Sequence, residues 1–341
     1  MSLNHAQTEA VAHNKGPCMV LAGPGSGKTL TIAKRIEYLI MKHKVRPEEI
    51  LVITFTKYAA WEMKNRTRSI CGPSSYAVTF GTFHGIYYGI LKWAYRLNQS
   101  NLLSDEEKYR ILREILPGID WDQEPEADEE KDYLQELAIE IGNVKNNCMD
   151  IEEYEPVKYT TEKFRKLYRT YEETKKKYRK IDFEDMLIQC RDLFMKRPDI
   201  LKKWQEKFQY ILVDEFQDVN QAQYDVVRML AAPQDNLFVV GDDDQSVYGF
   251  RGAKPGIMME FMKDYPKARQ ILLDVNYRSS GYIVKGALRV IGNNKIRFEK
   301  KIEAFRKPDE TVHVQEVKDP VQEAEYVLER IREYREKGVS Y

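Results

Sequence analysis

Short apolar runs bounded by Gly, Asp or Thr recur along the chain, at CMVLAG (Cys18 to Gly23), ILVITF (Ile50 to Phe55) and YAVTF (Tyr76 to Phe80). Three more follow at YILVDE (Tyr210 to Glu215), LFVVGD (Leu237 to Asp242) and QILLDV (Gln270 to Val275). Continuous rather than alternating apolarity is what strands covered on both faces require, so these runs read as buried parallel strands. Helical periodicity separates several of them, as in TLTIAKRIEYLIMKH from Thr29 and AAWEMKNRTRSI from Ala59. Strands alternating with helices predict a doubly wound α/β fold. Between about Ile86 and Gln209 the texture changes to long amphipathic patterns (DEEKYRILREIL, KDYLQELAIEIGNV, TEKFRKLYRTYEETKKKYRK) with no convincing strand. A helical subdomain inserted into the sheet domain is expected there. Near the end, TVHVQEVKD (Thr311 to Asp319) alternates like a strand, and PVQEAEYVLERIREYREKG reads as a helix stopping at Gly338.

Composition narrows the class without naming a function. With 341 residues, 43% hydrophobic and 32% charged, the chain is an ordinary globular sequence with room for two domains. Lys+Arg 54 balances Asp+Glu 54, so a polyanionic partner has to be held by a local patch. The four cysteines (Cys18, Cys71, Cys148, Cys190) are scattered, with no C-x-x-C pair, which argues against zinc and against a disulfide framework. No apolar run reaches membrane length, and the first residues lack the order of a signal peptide, so a cytoplasmic protein is expected.

AGPGSGKT (Ala22, Gly23, Pro24, Gly25, Ser26, Gly27, Lys28, Thr29) follows an apolar run and opens a helical pattern, the context a phosphate-binding loop requires. Backbone N–H groups at Gly25, Gly27 and Lys28 would cradle the β-phosphate, Lys28 would reach the β/γ oxygens, and the Thr29 hydroxyl would ligate Mg²⁺. Ala22 stands where the strict pattern has glycine. Such a loop needs carboxylates, and YILVDEFQD supplies Asp214 for the metal and Glu215 to accept a proton from the attacking water. That Lys28 and Asp214 meet is an inference from fold class.

LNHAQTEAV, AGPGSGKT, ITFTKYAAWEM, TFGTFH, IDFEDML, LVDEFQD, GDDDQSVYGFRGA and LDVNYRSS occur in this order. The series closely resembles superfamily 1 DNA helicases of the UvrD/PcrA/Rep type, across nearly the whole chain but only about the first half of such a helicase. The resemblance implies a RecA-like P-loop NTPase sheet with an inserted all-helical subdomain and the start of a second RecA-like lobe. On that pattern residues 1–88 and 207–273 form the first lobe, 89–206 the insertion, and 274–341 the beginning of the second lobe. The implied cofactors are ATP and Mg²⁺, and the implied partners single-stranded DNA and duplex junctions. Gln7 would read adenine through its amide. Gln245 would contact the γ-phosphate and sense its loss, with Asp242 helping to order the metal site; Asp243 and Asp244 read as turn acids. Tyr277 would stack on adenine, and Arg278 would neutralise charge developing in phosphoryl transfer.

For DNA the resemblance points to Thr54, Phe55 and Thr56, to Thr82, Phe83 and His84, and to Tyr248, Phe250 and Arg251 after the sensor glutamine: hydroxyls for phosphates, rings for bases. Phe183 would add a base contact, or be an aromatic in a helix core. His84 likewise reads either as a DNA contact or as a satisfied core histidine. Phe250 stands where the family usually has tryptophan, Leu30 where it often has arginine, and Lys57 and Tyr58 where it has Asn-Lys. The basic, tyrosine-rich stretch Lys163 to Lys180 fits either nucleic-acid backbone contact or a solvated helix face. Three functions share these motifs: a 3′ to 5′ translocase and helicase motor, the motor part of a helicase-nuclease for break repair, and a nucleotide and DNA binding module without turnover in isolation. The chain ends at Tyr341 before the C-terminal helicase motifs expected of the family.

Overall fold

A computed structural model describes residues 3–119, 129–246, 254, 256–307 and 311–340. Six parallel strands form the central sheet: β1 (Cys18–Ala22), β2 (Ile50–Thr54), β3 (Thr79–Thr82), β4 (Tyr210–Val213), β5 (Leu237–Gly241) and β6 (Arg269–Leu273). Their spatial order is β3-β2-β4-β5-β1-β6. Four of them, β1, β2, β4 and β5, are buried at every position. Alternate residues serve opposite layers. Met19, Leu21, Leu51, Ile53, Ile211, Val213, Leu237 and Val239 join one core, whereas Val20, Val52, Leu212, Phe238 and Val240 join the other. The second core is closed by α1 (His5–Ala12), α2 (Lys28–Met41) and α3 (Lys57–Cys71). The first is closed by α4 (Phe83–Tyr95) and, further along the chain, by four more helices.

Between α4 and β4 the chain is helical: α5 (Asp105–Ile115), α6 (Glu130–Asn146), α7 (Thr161–Lys177), α8 (Phe183–Lys196) and α9 (Pro198–Lys207). Among the described residues this stretch has no strand, only a single bridge between Leu102 and Ile181. Helices α5 to α7 bury their own core, including Leu112, Leu137, Phe164 and Tyr171. Helices α4, α8 and α9 instead pack on the sheet beside α10 (Gln221–Ala231) and α11 (Gly256–Asp264). Beyond β6 a two-stranded parallel sheet pairs β7 (Val275–Ser280) with β8 (Glu303–Arg306), flanked by α12 (Gly281–Ile291) and followed by α13 (Pro320–Glu336).

Three sequence expectations are corrected. The third strand is Thr79–Thr82 rather than 76–80, because Gly72–Ser75 winds into a 3₁₀ turn that continues through Tyr76 and Val78, whose N–H groups bond Pro73 and Ser75. Val275 belongs to β7 rather than to the sixth strand. Thr311 to Asp319 forms no strand: Val312 and Val314 are 61% and 93% exposed, and no described segment offers the ladder a strand needs. The final helix ends as its glycine predicts. Gly338 has φ +87, its N–H bonds Arg335 O and that of Val339 bonds Tyr334 O, the paired bonds of a Schellman cap. No helix among the described residues is long and apolar enough to cross a membrane.

Candidate functional site

Because all six strands run parallel, the loops after β1, β2, β3, β4 and β5 share one edge of the sheet, and β1 and β2 are separated there by β4 and β5. Such a topological switch opens a crevice at the carboxyl ends of the strands. The phosphate loop leaves β1 at Ala22. Gly25 (φ +67) and Gly27 (φ +88) both adopt the left-handed backbone that glycine tolerates. A Cβ on Gly25 would lie 2.5 Å from Cβ of Arg278, and one on Gly27 would lie 2.7 Å from Nε2 of Gln7. Ser26 turns inward, donating its hydroxyl (2.7 Å) and N–H (3.3 Å) to Gly23 O. Helix α2 starts at Lys28 with Gly27 as a cap that offers no side chain, so its first-turn N–H groups stay available to an anion.

Across the crevice, Lys28 Nζ donates to Glu215 Oε2 at 2.8 Å. Glu215 holds a left-handed φ of +50 at the end of β4, strain of the kind that needs surrounding structure to sustain it. Lys28, Thr29, Glu215, Gln245, Tyr277 and Arg278 line one cavity of about 460 Å³ with Pro24, Gly25, Ser26 and Gly27. Glu62 and Arg66 of α3 line it too; the sequence motifs did not single them out, although their i,i+4 spacing puts both on one helix face. Asp214 lies buried behind Glu215 and accepts its N–H at 3.0 Å. Burial, reinforced by the Glu215 charge and opposed by Lys28, pushes the Asp214 carboxyl up to about 6. Asp218 is pushed up to about 6 by the same causes, and its Oδ1 is buried without a hydrogen-bond partner. Buried carboxylates that Lys28 only partly compensates suit a hard divalent cation.

Gln7 sits against this loop, but its amide is already engaged. Oε1 accepts the Asn4 N–H at 3.0 Å in a capping box, and Nε2 donates to Ser26 O at 2.9 Å. Tyr277 donates its N–H to Gly25 O at 2.9 Å, and its hydroxyl accepts from Asn4 Nδ2. The Arg278 N–H is fixed by Asn276 Oδ1 at 2.9 Å. Gln217, also passed over in DEFQD, joins two loops: Nε2 donates to Glu215 Oε2 at 2.9 Å and Oε1 accepts the Asp242 N–H at 3.0 Å. Asp242 Oδ2 in turn accepts from Gln245 Nε2 at 2.6 Å.

A second cavity, of about 570 Å³, opens between the sheet edge and the inserted helices and is lined by Phe55, Phe83, His84, Lys108, Asn143 and Phe183, among others. Thr56 and Thr82 cap α3 and α4, accepting the Ala59 and Gly85 N–H groups, which leaves each hydroxyl hydrogen free to donate. Thr54 is 1% exposed and spends its hydroxyl on Thr56 O. Phe83 is buried in the sheet core. Phe183 is 49% exposed at the start of α8, its ring edge-on to His84 at 5.8 Å. Burial draws the His84 pKa down, with Glu184 opposing, which favours the neutral ring. Tyr248, Phe250 and Arg251 lie outside the described residues.

Phe183 is presented by a buried charge cluster. Lys145 and Lys175 both reach Asp182 (2.8 Å each), Asp185 (2.7 and 2.6 Å) and Glu172 (2.7 and 2.8 Å). Burial alone would raise the Asp182 carboxyl, but Lys145 and Lys175 outweigh it and hold it well below the usual range. The three acids stand close enough to hold a metal ion, yet two ammonium groups already supply the cation. Packing explains part of the basic stretch: Phe164, Leu167, Tyr171 and Lys175 face inward, and Arg165 is spent on Ile151 O.

Residues 3–266 match the UvrD/REP helicase N-terminal domain. Over 99% of its length the chain is 35% identical to the ATP-dependent DNA helicase PcrA of Staphylococcus aureus (strain Mu50), covering 46% of that protein. It is 34% identical to DNA helicase II of Escherichia coli (strain K12) over 99% of its length, covering 47% of that protein. YjcD of Bacillus subtilis (strain 168) is 39% identical over the whole chain, which covers 45% of it. The chain thus spans about half the length of the curated relatives it matches.

Proposed function

Because this chain belongs to the UvrD/REP helicase family, we propose that it carries the ATP-hydrolysing lobe of a motor that moves 3′ to 5′ on single-stranded DNA and opens duplex at junctions. The observation that carries this reading is the Lys28–Glu215 contact, made between residues 187 apart in sequence inside a cleft that also holds Gln245, Tyr277 and Arg278. A lysine, a carboxylate, a glutamine and an arginine converging on one phosphate loop are the groups that phosphoryl transfer to water calls for.

On this reading the triphosphate lies over Gly25, Gly27 and the first turn of α2, and draws Lys28 away from Glu215 toward the β/γ oxygens. Glu215, relieved of its ammonium, accepts a proton from the attacking water. Thr29 and Asp214 would hold Mg²⁺, which when bound supplies charge neutralisation at the phosphates; the raised Asp214 carboxyl supports this assignment. Tyr277 and Arg66 both line the cleft and would take a planar base, and Arg278, lining it too, would neutralise charge on the phosphates. Gln7 keeps a second Nε2 hydrogen and a second Oε1 lone pair beyond its bonds to Ser26 O and the Asn4 N–H, and these are what it would offer adenine.

We assign the second cavity to a DNA base and its flanking phosphates. Phe55, His84 and Phe183 supply ring surface, Thr56 and Thr82 supply phosphate donors, and buried Thr54 holds the loop of Thr56 in place. Residues 1–88 and 207–273 act as the first motor lobe, 89–206 as its insertion and 274–341 as the start of the second. Lys28→Ala in the full-length protein is expected to abolish DNA-stimulated ATP hydrolysis, measured with and without oligo-dT. Unchanged stimulated turnover would overturn the assignment.

A further inference from the structure

Asp243 and Asp244 do stand in a 3₁₀ turn, Asp243–Gln245, but neither they nor Asp242 are left to solvent. Lys300, whose side chain is fully buried, reaches all three: Asp242 Oδ1 at 2.5 Å, Asp243 Oδ1 at 2.6 Å and Asp244 Oδ2 at 2.7 Å. Arg297 forks onto Asp244 (2.8 and 2.6 Å), and the Phe298 N–H donates to Asp243 Oδ2 at 2.8 Å. Two residues on, Ile302 presses on the phosphate loop so closely that a Cβ on Gly23 would lie 2.6 Å from its Cδ1. The segment 297–302 is thus threaded between the phosphate loop and the loop of Gln245.

Each oxygen of Asp242 has a different duty. Oδ1 takes the ammonium of Lys300 at 2.5 Å and, at a longer 3.2 Å, the Asp244 N–H, while Oδ2 takes the amide of Gln245 at 2.6 Å, so the lysine helps to set the plane of the carboxylate and the carboxylate sets the amide. With one Nε2 hydrogen committed to Asp242, Gln245 keeps Oε1 and its second Nε2 hydrogen for the cleft it lines. The Asp242 N–H continues the chain through Gln217 to Glu215 and Lys28. Lys300 also lies three residues before β8, the strand paired with β7, which bears Tyr277 and Arg278. The Glu303 N–H bonds Asp274 O at 2.8 Å, tying the two strands together at their start. A displacement of the β7–β8 pair therefore carries Arg278 and Lys300 together.

We propose that Lys300 is a positioning residue for hydrolysis: acting through Asp242 it orients the Gln245 amide, and it makes that orientation depend on the docking of the β7–β8 unit that delivers Arg278. The proposal rests on the reading of the cleft as an ATP-hydrolysing site and adds a residue outside every motif recognised in the sequence. Misplacing a reacting group by about 1 Å costs on the order of 100-fold in rate, whereas phosphate and base contacts made elsewhere in the cleft leave affinity largely intact.

The test is made in the full-length protein with Lys300→Met, and with Lys300→Gln as a second variant that keeps a donor should the first not fold. Three readouts are taken: single-turnover hydrolysis at saturating ATP, affinity for a non-hydrolysable ATP analogue, and hydrogen exchange across Leu237 to Ser246. The expected result is a fall in hydrolysis of roughly tenfold or more with analogue affinity within about threefold, and faster exchange at Asp242 to Gln245. Arg297→Met removes the same charge from the cluster without touching Asp242, and is expected to cost about threefold or less. Equal losses in the Arg297 and Lys300 variants would mean bulk charge rather than orientation, and would overturn the proposal. So would hydrolysis at the normal rate, unchanged exchange, or loss of rate and affinity together. Wild type run alongside separates the two levels: a wild type without turnover defeats the ATPase reading, whereas an active wild type matched by Lys300→Met defeats only this inference.

Discussion

Asp214→Asn should stabilise the fold while removing its chemistry. The Asp214 carboxyl is nearly inaccessible, faces Glu215 as a like charge, and has its pKa pushed from 3.8 up to about 6. A folded pKa above the unfolded one means that the folded state holds the proton more tightly, so stability declines as pH rises from about 4 to about 6 and is level beyond. At about 1.4 kcal/mol per unit, ionised Asp214 costs the folded protein about 3 kcal/mol near pH 8 and roughly half of that near pH 5. Asparagine keeps the oxygen that accepts the Glu215 N–H and discards the charge, while its orphaned amide hydrogens give back about 1 kcal/mol or more. That offset does not vary with pH. The stability difference between variant and wild type should therefore swing by about 1.5 kcal/mol in favour of the variant between about pH 5 and about pH 8. Urea unfolding in chelator at both pH values measures it, with chelator preventing stabilisation of the wild type by divalent cation. Hydrolysis in Mg²⁺ should meanwhile fall by about 100-fold or more. A stability difference that does not change with pH would refute the claim that burial and Glu215 load this carboxylate.

Two further outcomes follow from the inserted helices. Lys175→Met strands Asp182 and Asp185 with Lys145 alone, and should cost about 3–5 kcal/mol in urea unfolding; removing Arg197 from its fully exposed pair with Asp199 should leave the unfolding midpoint nearly unmoved. Near-equal costs would show that the buried cluster contributes no more than a surface pair. Phe183→Ala, at a half-exposed ring, should leave the melting temperature nearly unchanged but weaken oligo-dT binding by about 1–3 kcal/mol, read by fluorescence anisotropy. Unaltered affinity would remove Phe183 from the DNA surface.

The alternation of cores along the strands was legible because parallel strands buried on both faces must be apolar throughout, as CMVLA, ILVIT, YILV and LFVVG are. Local chemistry likewise announced the phosphate loop and the helix stop at Gly338, since each depends on residues within a few positions of one another. The strand at Thr311 to Asp319 failed for the complementary reason: alternation offers a face, but the ladder needs a partner that no local pattern can supply. The same limit hid Lys300, Arg297 and Gln217. Nothing around Lys300 distinguishes it from a solvated lysine, and its three carboxylates lie 56 to 58 positions away. Sequence determined which residues could bind phosphate, carry charge or turn the chain. Only the parallel sheet, by bringing the ends of β1, β4 and β5 to one edge and β7–β8 against them, decided that Lys28 meets Glu215 and that the acids beside Gln245 are held by a buried ammonium.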